Sequence, residues 1–175
     1  NIMRRNGFTI IDLILTLSIV STLISLALPN FSAQLKQAQV KTATNSLLEA
    51  INLSRTQAVM TNQRTTIRKQ NEWSEGWEVF IDSDNDGIRD ANERLIKMQE
   101  KLNGIKIVTN RPITNNVSYI GTGESRNASG TNGGGFQAGT FTICPTAKGQ
   151  GMQLILARGG RVRVAKIDEE TCNAA

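Results

Sequence analysis

Apolar residues run along this chain in two regimes. From Phe8 to Leu28 they are nearly continuous for 21 residues, with Asp12 the only charge. Thr9, Thr16, Ser18, Ser21, Thr22 and Ser25 interrupt the run with hydroxyls that can bond back to their own helix. At 1.5 Å per residue such a helix spans roughly 31 Å, about the hydrocarbon thickness of a bilayer. Pro29 removes a backbone donor and disfavours helical geometry at Leu28, which predicts a kink. Beyond it, Phe31, Leu35, Ala38, Thr42, Leu47, Leu48, Ile51, Leu53 and Ala58 give a partial 3.6-residue stripe. Gln34, Lys36, Gln39, Lys41, Asn45, Glu49 and Asn52 occupy the other faces. A continuous helix from Phe8 to about Thr61 would measure on the order of 80 Å, more than one globular core requires.

After Asn62 the pattern changes to short alternating runs bounded by turn residues, the mark of strands. They fall near Thr65–Lys69, Trp77–Ile81, Arg94–Gln99, Ile105–Thr109, Val117–Ile120, Thr140–Cys144, Met152–Ala157 and Val162–Lys166. Hairpin-like spacing argues for antiparallel sheets. The expected fold class is α+β, a long N-terminal helix packed on antiparallel β-sheets. Gly121 to Gly139 is glycine-rich and polar, and reads as a long mobile loop, either a recognition surface or a solvated connector.

Composition narrows the chemistry. The chain has no histidine, which removes the commonest general base and metal ligand and every Ser-His or Cys-His arrangement. No nucleophile–base pair remains, so the chain does not read as an enzyme. Two cysteines, Cys144 and Cys172, are too few for a Cys-rich zinc site and too far apart for a redox motif. Arg4 and Arg5 before the apolar run predict a cytoplasmic N-terminus and an exported C-terminal domain. In that setting the two cysteines are expected to form one disulfide; in a cytosolic protein they would be inert thiols. Net charge is +5, mild basicity that permits anionic partners without requiring them.

A bare membrane anchor would not place a carboxylate one turn into the lipid, so Asp12 marks a functional position. The plainer alternative is a residue snorkelling to the interface. A cation from a neighbouring chain would satisfy it, and the amine made by cutting between Gly7 and Phe8 is the candidate. The stretch RRNGFTIIDLILTLSIVSTLISLALPNF resembles the class III prepilin signal of type IV pilins and type II secretion pseudopilins. The matching features are the short basic leader, Gly7, Phe8 as new N-terminus, an acid four residues later, and Pro29 after the apolar run. The resemblance implies cleavage after Gly7 and N-methylation of Phe8 by prepilin peptidase. It also implies packing of this helix into a filament core, with Asp12 where the family usually has Glu. The implied fold is pilin-like: leader 1–7, transmembrane and filament-core helix 8–28, amphipathic half-helix 29–62, and β domain 63–175.

Further along, SRTQAVMTNQRTTI, GWEVFIDSDNDGIRDANERLI, GTFTICP and GGRVRVAK resemble the GspH/FimT/FimU group of minor pilins and pseudopilins. The function implied first is a minor pilin that primes assembly of a type IV pilus or sits at its tip. A DNA-binding minor pilin of the FimT kind, serving natural transformation, is one alternative; a type II secretion minor pseudopilin of the H type is another. Implied partners are other pilins, prepilin peptidase, the inner-membrane assembly machinery and, in the FimT-like case, DNA. The implied location is the bacterial inner membrane, single-pass with a periplasmic domain, and then the pilus or pseudopilus.

Two constellations carry further chemistry. Asp82, Asp84, Asp86, Ile88 (through its carbonyl), Asp90 and Glu93 fit the spacing of a twelve-residue calcium loop, with Gly87 at the tight turn. The flanks read as strands rather than helices, and an Asx-rich hairpin loop is the alternative. Lys148, Arg158, Arg161, Arg163 and Lys166 form a basic set near the C-terminus, with Arg161 and Arg163 on one sheet face by alternation. Guanidinium groups suit phosphates, and the resemblance to the FimT branch implies DNA as what this set would contact. The alternative is a solvated face whose charges guard a sheet edge.

Overall fold

The computed structural model describes residues 9–130 and 133–174, and of residues 26–30 the backbone only. The expected cut site, Gly7 and Phe8, lies outside the described residues. Helix α1 covers Ile10–Thr61 and continues through Pro29 rather than ending there. The chain forms two compact units, Asn1–Leu35 and Lys36–Ala175.

In the first unit every described side chain from Ile10 to Ser25 is exposed, including Leu13, Leu17, Leu23 and Ile24. The hydroxyls do bond back to their own helix. Thr16 Oγ1 donates to Leu13 O at 2.8 Å, Ser18 Oγ to Leu15 O at 2.8 Å and Thr22 Oγ1 to Ser18 O at 2.7 Å. These bonds leave a surface that is chemically apolar even at its Ser and Thr positions. Among the described residues no helix is long and apolar enough to cross a membrane. The expected span reaches beyond them, at Phe8 and at the side chains of Leu26, Ala27 and Leu28.

In the second unit α1 supplies one wall of the core. The buried face is Val40, Ala43, Thr44, Leu47, Ala50, Ile51, Ser54 and Ala58, a 3-4-3 spacing typical of one helix face. This corrects the expected stripe: Leu47, Ile51 and Ala58 belong to it, whereas Ala38 and Thr42 are exposed. Phe31 and Leu35, in the first unit, are exposed as well. The buried face uses alanine and serine where a sheet must approach closely, and small residues give periodicity analysis little to count. Thr44 is tolerated inside because its hydroxyl donates to Val40 O at 2.7 Å.

Eight strands follow: β1 Thr65–Lys69, β2 Trp77–Ile81, β3 Leu95–Gln99, β4 Ile105–Thr109, β5 Asn116–Tyr119, β6 Gly139–Pro145, β7 Gly151–Leu156 and β8 Val162–Ile167. They match the expected runs to within a residue or two at each end. They form two four-stranded sheets, ordered β3-β2-β1-β5 and β4-β6-β7-β8, with every pairing antiparallel. Inward residues of both sheets, among them Ile67, Val79, Val117, Phe141, Ile143 and Leu154, join α1 in one cluster. Trp73, on a 3-10 turn at Trp73–Glu75, meets the Phe141 ring edge-on with centroids 4.9 Å apart, and its indole N–H donates to Thr114 O at 2.9 Å.

The glycine-rich segment differs from the mobile loop expected. Its described residues double back as a ribbon beside β5, with bridges Tyr119↔Ser125 and Arg126↔Phe136. Gln137 is fully buried; its Oε1 accepts from Ser118 N at 2.9 Å and its Nε2 donates to Asn116 O at 3.1 Å. Arg126 lies over the Phe136 ring, 3.7 Å from its centroid, a cation–π contact. Side-chain amide and hydroxyl groups here do the work that apolar burial does elsewhere, and composition alone does not reveal that.

A short helix α2, Glu169–Ala174, closes the chain, its first turn capped by Asp168, whose Oδ1 accepts from Thr171 N at 2.9 Å. The hydrogen bonds from Thr171 lower the Asp168 carboxyl below the ordinary aspartate range. Cys172 of α2 is joined to Cys144 of β6, with Cα atoms 5.7 Å apart. Gly151 makes room for the bridge, since a Cβ there would collide with Cys172 Sγ. With the cysteines 28 positions apart in sequence, the double variant Cys144→Ser/Cys172→Ser should lose about 3–4 kcal/mol of stability by the loop-entropy argument. Chemical denaturation of parent and variant measures it, and alkylation of the parent without reductant should label neither cysteine.

Candidate functional site: an exposed helix, an acidic loop and a basic sheet edge

Asp12 sits in the first turn of α1. Thr9 N and Thr9 Oγ1 both donate to Asp12 Oδ2, at 3.0 and 2.9 Å, and Asp12 N donates back to Thr9 Oγ1 at 3.3 Å. This is a reciprocal capping box with Asp in the position usually held by Glu or Gln. The Thr-x-x-Asp spacing is the sequence signal that could have marked this helix start. A shorter acid suits it, because Asp reaches its own helix end without spare length.

The second site is the β2–β3 loop. It begins at Asp82, whose N–H donates to Arg64 O at 2.9 Å, and closes where Ile81 N donates to Arg94 O at 3.0 Å. Within it, short carboxylates fold the backbone onto themselves. Asp86 N donates to Asp84 Oδ1 at 3.2 Å and Ile88 N to Asp86 Oδ1 at 2.6 Å. Gly87 N donates to Asp82 Oδ2 at 3.1 Å, with Thr66 Oγ1 donating to the same oxygen at 2.6 Å. Gly87 has φ +77°, and a Cβ there would press on Asn116 Nδ2 and Ala128 Cβ, so the turn position requires glycine.

The structure gathers part of the expected calcium set. Asp82, Asp84 and Asp86 each place a carboxylate oxygen within 4.8 Å of the others. Glu93 is used differently: its Oε1 accepts from Ser83 N at 2.6 Å and its Oε2 from Asp90 N at 3.1 Å. It is a buried clamp closing the loop on both sides. Asp90 and Ile88 are exposed, and Arg89 pairs with Glu78 at 2.8 Å.

Asp82 is 1% exposed. Burial pushes its carboxyl above the ordinary aspartate range; the Thr66 hydrogen bond opposes this, Glu93 and Asp84 add to it, and Arg64 draws it down. Arg64, itself buried, was not singled out by sequence. Its Nε donates to Asn85 Oδ1 at 2.9 Å, and its Nη1 donates to Ser118 Oγ at 2.6 Å and Arg126 O at 2.8 Å. Loop, β5 and ribbon thus share one guanidinium, and a lone arginine ahead of a strand carries no local signature of that.

Of the basic set, Arg163 and Lys166 lie in β8, an edge strand of the second sheet, and the others in the turns beside it. Lys148, Arg158, Arg161, Arg163 and Lys166 are all exposed. The register divides them. Arg163 stands opposite Ile155 and Lys166 opposite Met152, so these two alternate to opposite faces. Arg158 and Arg161 flank the β7–β8 turn, joined there by Arg55 of α1, whose Nη2 donates to Gly159 O at 3.2 Å. Lys148 belongs to the β6–β7 turn at the other end of the strands. Among the described residues none of the five pairs with a carboxylate within 4.0 Å.

Comparison with known proteins follows the same lines. The family described as “Type II transport protein GspH” matches residues 43–160. Among solved structures, the type IV minor pilin FimU of Pseudomonas aeruginosa aligns with TM-score 0.56 at 13% identity, over 74% of this chain and 90% of that one. The minor pseudopilin EpsH of the Vibrio cholerae type 2 secretion system aligns with TM-score 0.53 at 13% identity, over 73% and 97%. At such identities the likeness is one of fold, the long helix on two antiparallel sheets. No curated protein sequence matches.

The Glu93 clamp can be tested directly. Glu93→Ala strips two backbone N–H groups of their acceptor, which should cost about 2 kcal/mol in chemical denaturation. Faster hydrogen exchange at Ser83 and Asp90 than at β2 residues should accompany it.

Proposed function

Because this chain belongs to the family of type II transport protein GspH, we propose that it is a minor pilin of a type IV pilus. In this reading it is cut after Gly7, held in the inner membrane by the apolar stretch beginning at Phe8, and inserted into the filament through that stretch. The observation that carries the reading is the density of exposed apolar side chains from Ile10 to Ile24, whereas the second unit gathers most of its large apolar residues into a core and exposes only scattered ones such as Met60 and Met98. Such a run on a folded protein calls for lipid or neighbouring helices around it. Both environments suit it in turn, since packing between like helices replaces lipid contacts one for one.

Asp12 gives that packing its register. Its Oδ2 is engaged by Thr9, and its other oxygen, Oδ1, would take the amine of a neighbour. A desolvated ion pair of this kind discriminates strongly between matched and mismatched positions along a helix. The family also includes type II secretion proteins, and the fold is shared by both systems, so the same helix would serve a pseudopilus.

Asp12→Ala should leave the protein in the membrane fraction but lower its recovery in sheared filaments at least tenfold, while Asp12→Glu should restore it. Quantitative immunoblots of the two fractions read this, and equal filament content of Asp12→Ala would sink the pairing. Mass spectrometry of the filament form should find N-methyl-Phe8 at its start. Deletion of the gene should abolish piliation and spare type II secretion; the opposite pattern assigns the chain to a pseudopilus.

A second reading, DNA binding, is favoured by the exposed Arg158, Arg161 and Arg163 clustered at one end of β8, none of them ion-paired among the described residues. Backbone contacts there would be steeply salt-dependent. In gel shifts Arg161→Ala/Arg163→Ala should weaken binding across all sequences and reduce the salt slope by about 2. Identical shifts for parent and variant remove DNA from this edge.

A further inference from the structure

The β2–β3 loop holds more negative charge than its own folding uses. Asp84 and Asp86 each spend one oxygen on a backbone N–H two residues on, and Asp82 spends Oδ2 on Thr66 and Gly87. Asp82 Oδ1 is buried and has no hydrogen-bond donor. A buried carboxylate oxygen without a donor is costly, and three carboxylates within 4.8 Å repel one another besides. The nearby cations do not resolve this. Arg68 donates to Gly87 O at 2.8 Å, Arg89 to Glu78, and the Arg64 Nε to Asn85; none reaches Oδ1 with a hydrogen bond.

We infer that this loop binds a calcium ion between Asp82 Oδ1 and the carboxylates of Asp84 and Asp86. Among the described residues the donor set is three carboxylates and the chain has no histidine, which selects hard cations over zinc or copper. Carboxylates on an irregular turn, rather than a rigid octahedral frame, favour calcium over magnesium. The Ile88 carbonyl occupies the seventh position of the loop, where calcium loops use a backbone oxygen. The twelfth position does not contribute a clamp on the ion, because both Glu93 oxygens are held by Ser83 and Asp90 amides. With that bidentate ligand missing and guanidinium groups close by, the affinity belongs at the weak end of calcium loops, with Kd about 10⁻⁴–10⁻³ M.

The test uses the full chain in detergent micelles, titrated with calcium chloride by calorimetry and melted in EDTA, 10 mM calcium or 10 mM magnesium. One saturable site is expected, with a calcium-dependent rise in Tm of about 3–11 °C for a unit of this size and a smaller response to magnesium. Asp84→Asn/Asp86→Asn changes only exposed side chains and keeps amide oxygens for the same turns, so it should fold. In EDTA it should melt at or above the parent temperature, because repulsion on Asp82 is relieved. Its calcium affinity should fall at least tenfold and its Tm shift should vanish. No heat and no shift for the parent at 10 mM calcium, equal calcium binding by the double variant, or an equal response to magnesium would each overturn the assignment.

Discussion

The second unit depends on one seam, where the face of α1 from Val40 to Ala58 is sealed by the inner surfaces of both sheets. Neither sheet is wide enough to bury its own apolar face, and a lone helix of this composition has no reason to remain dry along one side. Three alanines, Ala43, Ala50 and Ala58, together with Ser54, keep the helix side of the seam thin. Bulk comes from the other side, from Trp73, Trp77, Tyr119 and Phe141. The division is economical in conformational terms: small residues lose little rotamer freedom on burial, and the rings have few torsions to fix.

That seam also explains where chemistry is found. Side chains committed to it are unavailable for recognition, so charged and acceptor groups collect at strand ends and sheet margins. The acidic loop leaves one end of β2, the arginines stand beside the turn between β7 and β8, and the ribbon covers the margin of β5. Arg64 links the loop and the ribbon through Asn85 and Arg126 O, so a change of charge at one is felt at the other. The first half of α1 has none of this layering. Its apolar side chains face outward on every side, and its hydroxyls turn inward to the helix backbone.

Much of this was legible in the sequence because it rests on periodicity. Alternating runs located all eight strands, and a long apolar segment followed by a sparser stripe located α1. The failures have specific causes. The expected stripe followed the register of Phe31 and Leu35 on to Ala38 and Thr42, whereas the buried face runs through Val40, Ala43 and Thr44, one to two positions further along the helix. The ribbon was hidden because Ser125 and Gln137 order it through hydrogen bonds spanning twelve to nineteen positions, which local composition does not encode. The spacing of the acidic loop was readable, but not that Glu93 would turn to backbone amides while Asp82 kept one oxygen unspent. The basic set was readable residue by residue, yet only the register shows that Arg163 and Lys166 look in opposite directions.

The bond between Cys144 and Cys172 has a mechanical consequence. Tension entering at the C-terminal end passes through the sulfur bridge directly into β6, and bypasses β7 and β8 altogether. The segment between the cysteines, 28 positions apart, therefore cannot be pulled out, which withholds roughly 95 Å of contour length from any stretched form. A chain under such load would thus yield in the segment before Cys144, which holds the helix, the first sheet and strand β4, while β7 and β8 stay looped off.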